Sequence, residues 1–148
     1  MLLDTNVVSE FLRSGAPARF PKLDQLVREA LEAEDLNIAF ITQFELLRLG
    51  LKQELQQQGR RKLVALRKFL DRCSALGLDD GAGAGWNHAA ELWAKARMHK
   101  PSIVFSEADL LIAATASFHH ETLLTFDAGL AQNLTAIGFE QVTLIPRE

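Results

Sequence analysis

Short apolar runs alternate along this chain with longer stretches in which apolar side chains recur every three or four residues. Met1 to Leu3 and the helically spaced Val7 to Leu12 predict a strand that turns through Asp4, Thr5 and Asn6 into a helix. Leu23, Leu26, Val27, Ala30 and Leu31 share one face of a helix over 22–33. Leu36 to Ile41 reads as a second strand, and Thr42 opens a helix that runs to about Gln57. Beyond Gly59, residues 60–74 place Leu63, Leu66, Phe69, Leu70 and Cys73 on one helical side. A short strand over 76–78 leads into a glycine-rich turn over 79–85, then a helix from Trp86 to Lys100 ended by Pro101. A helix over 107–119, a strand over 122–125, a helix over 128–135 and a strand over 142–145 complete the pattern.

Strands alternating with helices in this way predict an α/β fold, in which helices cover both faces of a mainly parallel sheet of four to five strands. A single domain over 1–148 is expected from the length. Sheets of this kind carry their functional groups outside the carboxyl ends of the strands. Four acids fall at such ends: Asp4, Glu45, Asp109 and Asp127. Two of them also fit a capping box, Thr42 with Glu45 and Ser106 with Asp109, where a hydroxyl caps the helix and the acid reaches back to a backbone N–H. An acid in the first turn of such a helix points over the same sheet edge, so capping and site roles share one place. Carboxylates gathered there raise one another's pKa unless a cation joins them. An all-oxygen donor set suits Mg²⁺ or Mn²⁺, and an ion held by one or two carboxylates keeps water available for attack on a phosphodiester.

Composition narrows the classes. No apolar run approaches the roughly 18 residues of a membrane helix, and Asp4 interrupts the first apolar run with no basic segment before it. A soluble, cytoplasmic protein is the expectation, with no membrane partner. Cys73, the only cysteine, excludes an intrachain disulfide and a thiolate metal cluster, and its helical position predicts a buried, inert thiol.

The net charge of −3 speaks against nucleic acid, but its distribution does not. From Arg48 to Arg72 there are eight basic residues and two acids. Read alone, this is a solvated helix face; beside converging carboxylates it suits a polyanion held against a metal centre. Arg48, Arg60, Arg61, Arg67 and Lys68 are the candidate contacts to such a polyanion.

The segments DTNVVSEFL, ITQFELLRLG and DLLIAATA, followed by LLTFD, together resemble the PIN-domain ribonucleases, most closely the toxins of bacterial VapBC toxin–antitoxin modules. The resemblance runs in order over 1–145. It implies a PIN-like three-layer α/β/α sandwich and a Mg²⁺- or Mn²⁺-dependent endoribonuclease. Asp4, Glu45 and Asp109 match the core acids that hold the metal, and Asp127 matches a fourth, more variable acidic position. Thr5, Asn6 and Thr125 match the supporting polar residues. A cognate antitoxin and a homodimer are further implications. Many members read T-x-N-x-x-D-F at the last motif, whereas Ala128, Gly129 and Leu130 follow Asp127 here, so the distal acid is absent and Asp127 takes the fourth role.

Other positions read as structural. Trp86 and Trp93 share one helical face, as core residues do. His119 and His120 end a helix, Asp79 and Asp80 open a turn, and Glu107 is a solvated first-turn acid. Leu46, Leu47, Leu49 and Leu51 exceed what one buried face needs and point to an interface. Two alternatives to the nuclease are a non-catalytic RNA- or protein-binding module of the same fold and a Mg²⁺-dependent phosphoryl-transfer domain. The second requires another acid beside the nucleophilic Asp and a Lys after a late strand, and the chain has neither.

Overall fold

The computed structural model describes residues 1–13 and 15–147. In chain order the elements are β1 (Leu2–Leu3), α1 (Thr5–Phe11), α2 (Ala16–Arg19), α3 (Pro21–Glu32), β2 (Asn37–Ala39), α4 (Phe40–Leu55), α5 (Arg60–Arg72), β3 (Ser74–Leu76), α6 (Asp80–Met98), α7 (Glu107–Phe118), β4 (Leu123–Thr125), α8 (Ala128–Ala136) and β5 (Val142–Leu144). All five strands are parallel, in the order β3-β2-β1-β4-β5. The chain therefore builds outward from β1 in one direction and returns to build in the other, which makes the β1–β4 boundary a topological switch point.

The pleat sends successive side chains to opposite faces, and this divides the core in two. Leu2 and Leu123 pack beneath Ala89 and Leu92 of α6, Ile112 and Ala113 of α7, and Leu130 and Leu134 of α8. Leu3, Ile38 and Leu124 pack on the other face against Val7 and Val8 of α1, Leu23 and Val27 of α3, and Phe69 of α5. The result is the expected α/β/α sandwich. Among the described residues no helix is long and apolar enough to cross a membrane.

Several local expectations are corrected. Helix α4 starts at Phe40, not Thr42, and Ala39 sits at its N-cap without a side-chain cap. Thr42 is thus buried inside the first turn, and the Thr42–Glu45 capping box does not form. The Ser106 hydroxyl does cap α7, accepting the Asp109 N–H at 3.1 Å. Strand β3 falls at Ser74–Leu76, ahead of the expected 76–78, because that register pairs it with Asn37–Ala39. Trp86 and Trp93 do share a face, but it is the outer one: they are 49% and 51% exposed. Ala89, Leu92 and Ala96 take the core side of α6, where the two alanines allow close approach to the alanine-rich α7. Of the four leucines read as an interface, Leu46 packs partly into the core while Leu49 and Leu51 remain exposed.

The glycine-rich segment turns through left-handed backbone at Gly81, Ala82 and Gly83 (φ 64°, 58° and 85°) before α6 becomes regular. Gly85 follows where the chain passes against Leu78. A Cβ there would lie 2.5 Å from the Leu78 carbonyl oxygen and 2.6 Å from its Cα. Gly85→Ala is expected to destabilise the fold by about 2 kcal/mol, seen as a lower urea midpoint.

Candidate active site

The register that pairs Leu3 with Leu124 carries Asp4 and Thr125 side by side past the strand ends at the switch point. Asp4 is only 3% exposed. Its Oδ2 accepts a 2.6 Å hydrogen bond from Thr125 Oγ1, and its Oδ1 accepts the Thr5 N–H at 2.7 Å. Thr125 Oγ1 in turn accepts the Asp127 N–H at 3.0 Å and lies 3.4 Å from the donating Asn6 Nδ2. Asn6 Oδ1 accepts the Phe126 N–H at 3.2 Å, closing a polar bridge between α1 and β4. One buried hydroxyl therefore fixes the Asp4 carboxylate, the Asn6 amide and the chain leading to Asp127.

The second strand contributes through α4. Thr5 Oγ1 donates to Glu45 Oε1 at 2.9 Å and lies 3.2 Å from Thr42 Oγ1. Thr42 is thus a site residue that the sequence reading assigned to capping; its position one helical turn before Glu45 was the available signal. Asp127 caps α8, with Oδ1 accepting the Leu130 N–H at 2.9 Å. Asp109 projects from the first turn of α7 and is partly exposed.

Electrostatics joins these acids. Burial pushes the Asp4 carboxyl above its ordinary value of 3.8; the hydrogen bonds from Thr125 and Thr5 oppose the shift, and the charges of Asp109 and Asp127 add to it. Asp4 thus senses the charges of two of the other candidate acids, while Glu45 joins through the Thr5 hydroxyl. Among the described residues, no three His, Cys, Asp or Glu side chains group tightly enough to hold a metal ion between them. The donor set, all oxygen and mutually repelling, fits an ion held by one or two carboxylates with water completing the shell, as Mg²⁺ prefers.

The candidate RNA contacts divide. Arg48 lies on α4 beside the site, its Nη2 3.9 Å from Glu45 Oε2 and its guanidinium 5.3 Å from the Phe44 ring centre. Arg61 lines a groove of about 580 Å³ between α1, α4 and α5, together with Arg13 and Lys62. That groove contains Ser9 and Leu49, each one helical turn beyond Thr5 and Glu45 respectively, so its lining follows α1 and α4 onward from those two residues. Arg13 and Lys62 were not among the sequence candidates. Lys68 lines a separate groove with Arg28 and Arg72, and Arg60 and Arg67 are exposed on α5. Cys73 is half-buried with its thiol pushed up to about 11 by burial, an unreactive group. His119 ends α7 and places Nε2 2.7 Å from the Gly77 carbonyl oxygen, away from the acids' hydrogen-bond network.

Residues 1–133 match the profile of the PIN domain. The chain belongs to the PIN domain family. Solved structures share this PIN fold over nearly the whole chain. A chain of VapBC2 from Rickettsia felis, crystallised with a DNA fragment from its promoter, superposes with TM-score 0.77 at 16% identity, covering 98% of each chain. FitAcB from Neisseria gonorrhoeae gives TM-score 0.62 at 28% identity, covering 99% of this PIN domain and 96% of that chain. A toxin–antitoxin complex from Klebsiella pneumoniae gives TM-score 0.57 at 21% identity, with 96% and 94% coverage. No curated protein gives a significant match.

Proposed function

We propose that this PIN domain is a Mg²⁺- or Mn²⁺-dependent endoribonuclease, the toxin of a toxin–antitoxin pair that acts in the cytoplasm. The observation that carries the reading is Asp4: a buried carboxylate at the switch point of a parallel sheet, with the charges of Asp109 and Asp127 close enough to raise its pKa. Burial and like charge both work against an ionised carboxylate at this position, whereas a divalent ion uses that same charge. Bound by Asp4 and Asp109, the ion would acidify a coordinated water and offset phosphate charge.

The chain's own groups do the rest. Thr125 and the Thr5 N–H hold Asp4 in a single orientation. Thr5 fixes Glu45 through Oε1, so that Oε2, 3.9 Å from Arg48 Nη2, would be the oxygen offered to the ion or to its water. Asp127 completes the acidic pocket while one of its oxygens caps α8. Arg13, Arg61 and Lys62 line the groove along which RNA phosphates approach. Its apolar lining, including Leu12, Leu46, Leu49 and Leu66, serves no phosphate. An antitoxin segment with apolar anchors and acidic flanks suits that mixture, and similarity to a toxin–antitoxin complex supports such a partner.

Water as nucleophile leaves 5′-phosphate and 3′-hydroxyl ends, because the RNA 2′-hydroxyl takes no part. End analysis of cleaved RNA by phosphate-dependent ligation is expected to find 5′-phosphates, with cleavage lost in EDTA and regained with Mg²⁺ or Mn²⁺. A 2′,3′-cyclic phosphate product, or cleavage that ignores EDTA, contradicts the mechanism.

A further inference from the structure

We propose that Trp93, backed by Arg97, is a stacking platform for an unpaired base of the RNA, in a nucleotide that flanks the phosphate to be cleaved. The proposal rests on the RNA-cleaving reading of the acids and adds to it a residue that holds the substrate without touching the reacting atoms.

The spacing that reads as a core stripe in the sequence faces solvent in the fold, and Trp93 is 51% exposed. Arg97, one turn further along α6, sets its guanidinium carbon 5.3 Å from the centre of the Trp93 ring. This cation–π contact ties down a long side chain and leaves the rest of the indole uncovered. Ala90 and Ala94, both exposed, are too short to shelter a ring of that size. Trp86 is engaged separately, its Nε1 donating to Asp79 Oδ1 at 2.6 Å. Charge beside the indole is one-sided. Glu91 turns to another cleft, with His88, Lys95 and Ser117, so the charge at the Trp93 ring is that of Arg97.

The packing of α6 on α7 fixes where this platform stands. His88 Nε2 lies 2.8 Å from Ser117 Oγ, and His119 Nε2 lies 3.6 Å from Asp80 Oδ2. The start of α6 therefore meets the end of α7, and the two helices run antiparallel. Counting on from the His88–Ser117 pair brings Trp93 about level with Ile112, and Arg97 about level with Ala108, the residue before Asp109. Platform and Asp109 are thus separated by the spacing of two packed helices, about 10 Å. Every base offers a π face to an indole, and a guanidinium beside it neutralises phosphate. A protein interface core needs a contiguous apolar surface, whereas here a single indole stands between alanines and a cation. Bases in a duplex are already stacked on one another, so the platform selects single-stranded RNA.

Fluorescence of Trp93 and cleavage kinetics test the proposal together. The chain has two tryptophans, so Trp86→Phe leaves Trp93 as the only one. In EDTA, a single-stranded RNA oligonucleotide should quench its emission saturably. The same sequence as a duplex, or an abasic oligonucleotide of equal length, should not. In Mg²⁺, Trp93→Ala should raise KM for single-stranded RNA at least about five-fold and leave kcat within about two-fold, because a stacked base is held alike in the ground and transition states. Trp93→Phe should recover most of that loss, and Arg97→Gln should raise KM while flattening its dependence on salt. Equal quenching by the abasic oligonucleotide, or an unchanged KM in Trp93→Ala, overturns the platform; cleavage that still depends on Asp4 then leaves the nuclease reading standing. Loss of self-association in Trp93→Ala with RNA affinity unchanged assigns the face to a protein contact and likewise overturns it. A wild type quenched by single-stranded RNA that never cleaves it refutes the nuclease reading and keeps the stacking.

Discussion

Asp4→Asn is expected to lower RNA cleavage by about 10³-fold or more while the protein stays folded. The substitution keeps the shape of the side chain and removes the charge that a divalent ion and a phosphodiester respond to. Its effect on stability is the sum of two opposed contributions. Thr125 Oγ1 already accepts from Asn6 and Asp127, so its own proton must point at Asp4. The Thr5 N–H needs the other oxygen. An amide offers only one acceptor, so one bond is lost, at a cost of about 1 kcal/mol.

Against that loss stands relief of a buried carboxylate facing Asp109 and Asp127. A folded-state pKa above 3.8 means that the folded protein holds this proton more tightly than the unfolded chain does. Stability therefore falls as pH rises through the window from 3.8 to the elevated folded value, and the penalty persists above it. Asp4→Asn should remove that component of the pH dependence and leave Tm near neutral pH within about 5 °C of the wild type. Wild-type turnover by the variant in saturating Mg²⁺, or its outright unfolding, would refute the role assigned to Asp4.

Thr125→Val is expected to be the more damaging to the fold. The side chains are nearly the same shape, but the buried hydroxyl gives one hydrogen bond and receives two. Its loss leaves Asp4 Oδ2, Asn6 Nδ2 and the Asp127 N–H without that partner. Together these cost about 3 kcal/mol, or a fall in Tm of roughly 6 to 12 °C for a chain of this size. Activity should drop as well, because Asp4 loses the bond that orients it. That bond also lowers the Asp4 pKa, so without it the acid limb of the activity profile moves to higher pH. Thr125→Ser keeps the hydroxyl and should recover both stability and the pH profile. A valine variant with wild-type Tm and activity would mean that the hydroxyl network is incidental.

The strand-end acids were legible because two periodicities, 2 in strands and 3.6 in helices, locate the sheet edge without any long-range information. Asp4 and Asp127 needed only that much. What the chain alone withheld was cross-strand register. Thr125 reads as a neighbour of Asp127, two residues away, and only the pairing of Leu3 with Leu124 reveals that its hydroxyl belongs to Asp4. Thr42 was misassigned for a similar reason. Its pattern with Glu45 is a good capping box, but β2 stops at Ala39 and the helix starts before the hydroxyl is reached. Trp86 and Trp93 share a face as their spacing requires, yet spacing cannot say which face the small residues of α7 will admit. The groove of Arg13, Arg61 and Lys62 joins helices distant in sequence, so no local pattern announces it.

Binding of Mn²⁺ by the protein without RNA, followed by electron paramagnetic resonance, tests most directly whether the strand-end acids form one metal site, and it needs no knowledge of the RNA sequence cleaved. The wild type should bind Mn²⁺ in competition with Mg²⁺, and Asp4→Asn and Asp109→Asn should each weaken that binding at least ten-fold. Equal Mn²⁺ affinity in the wild type and both variants would place the ion elsewhere and contradict the assignment of this acid cluster as the catalytic centre.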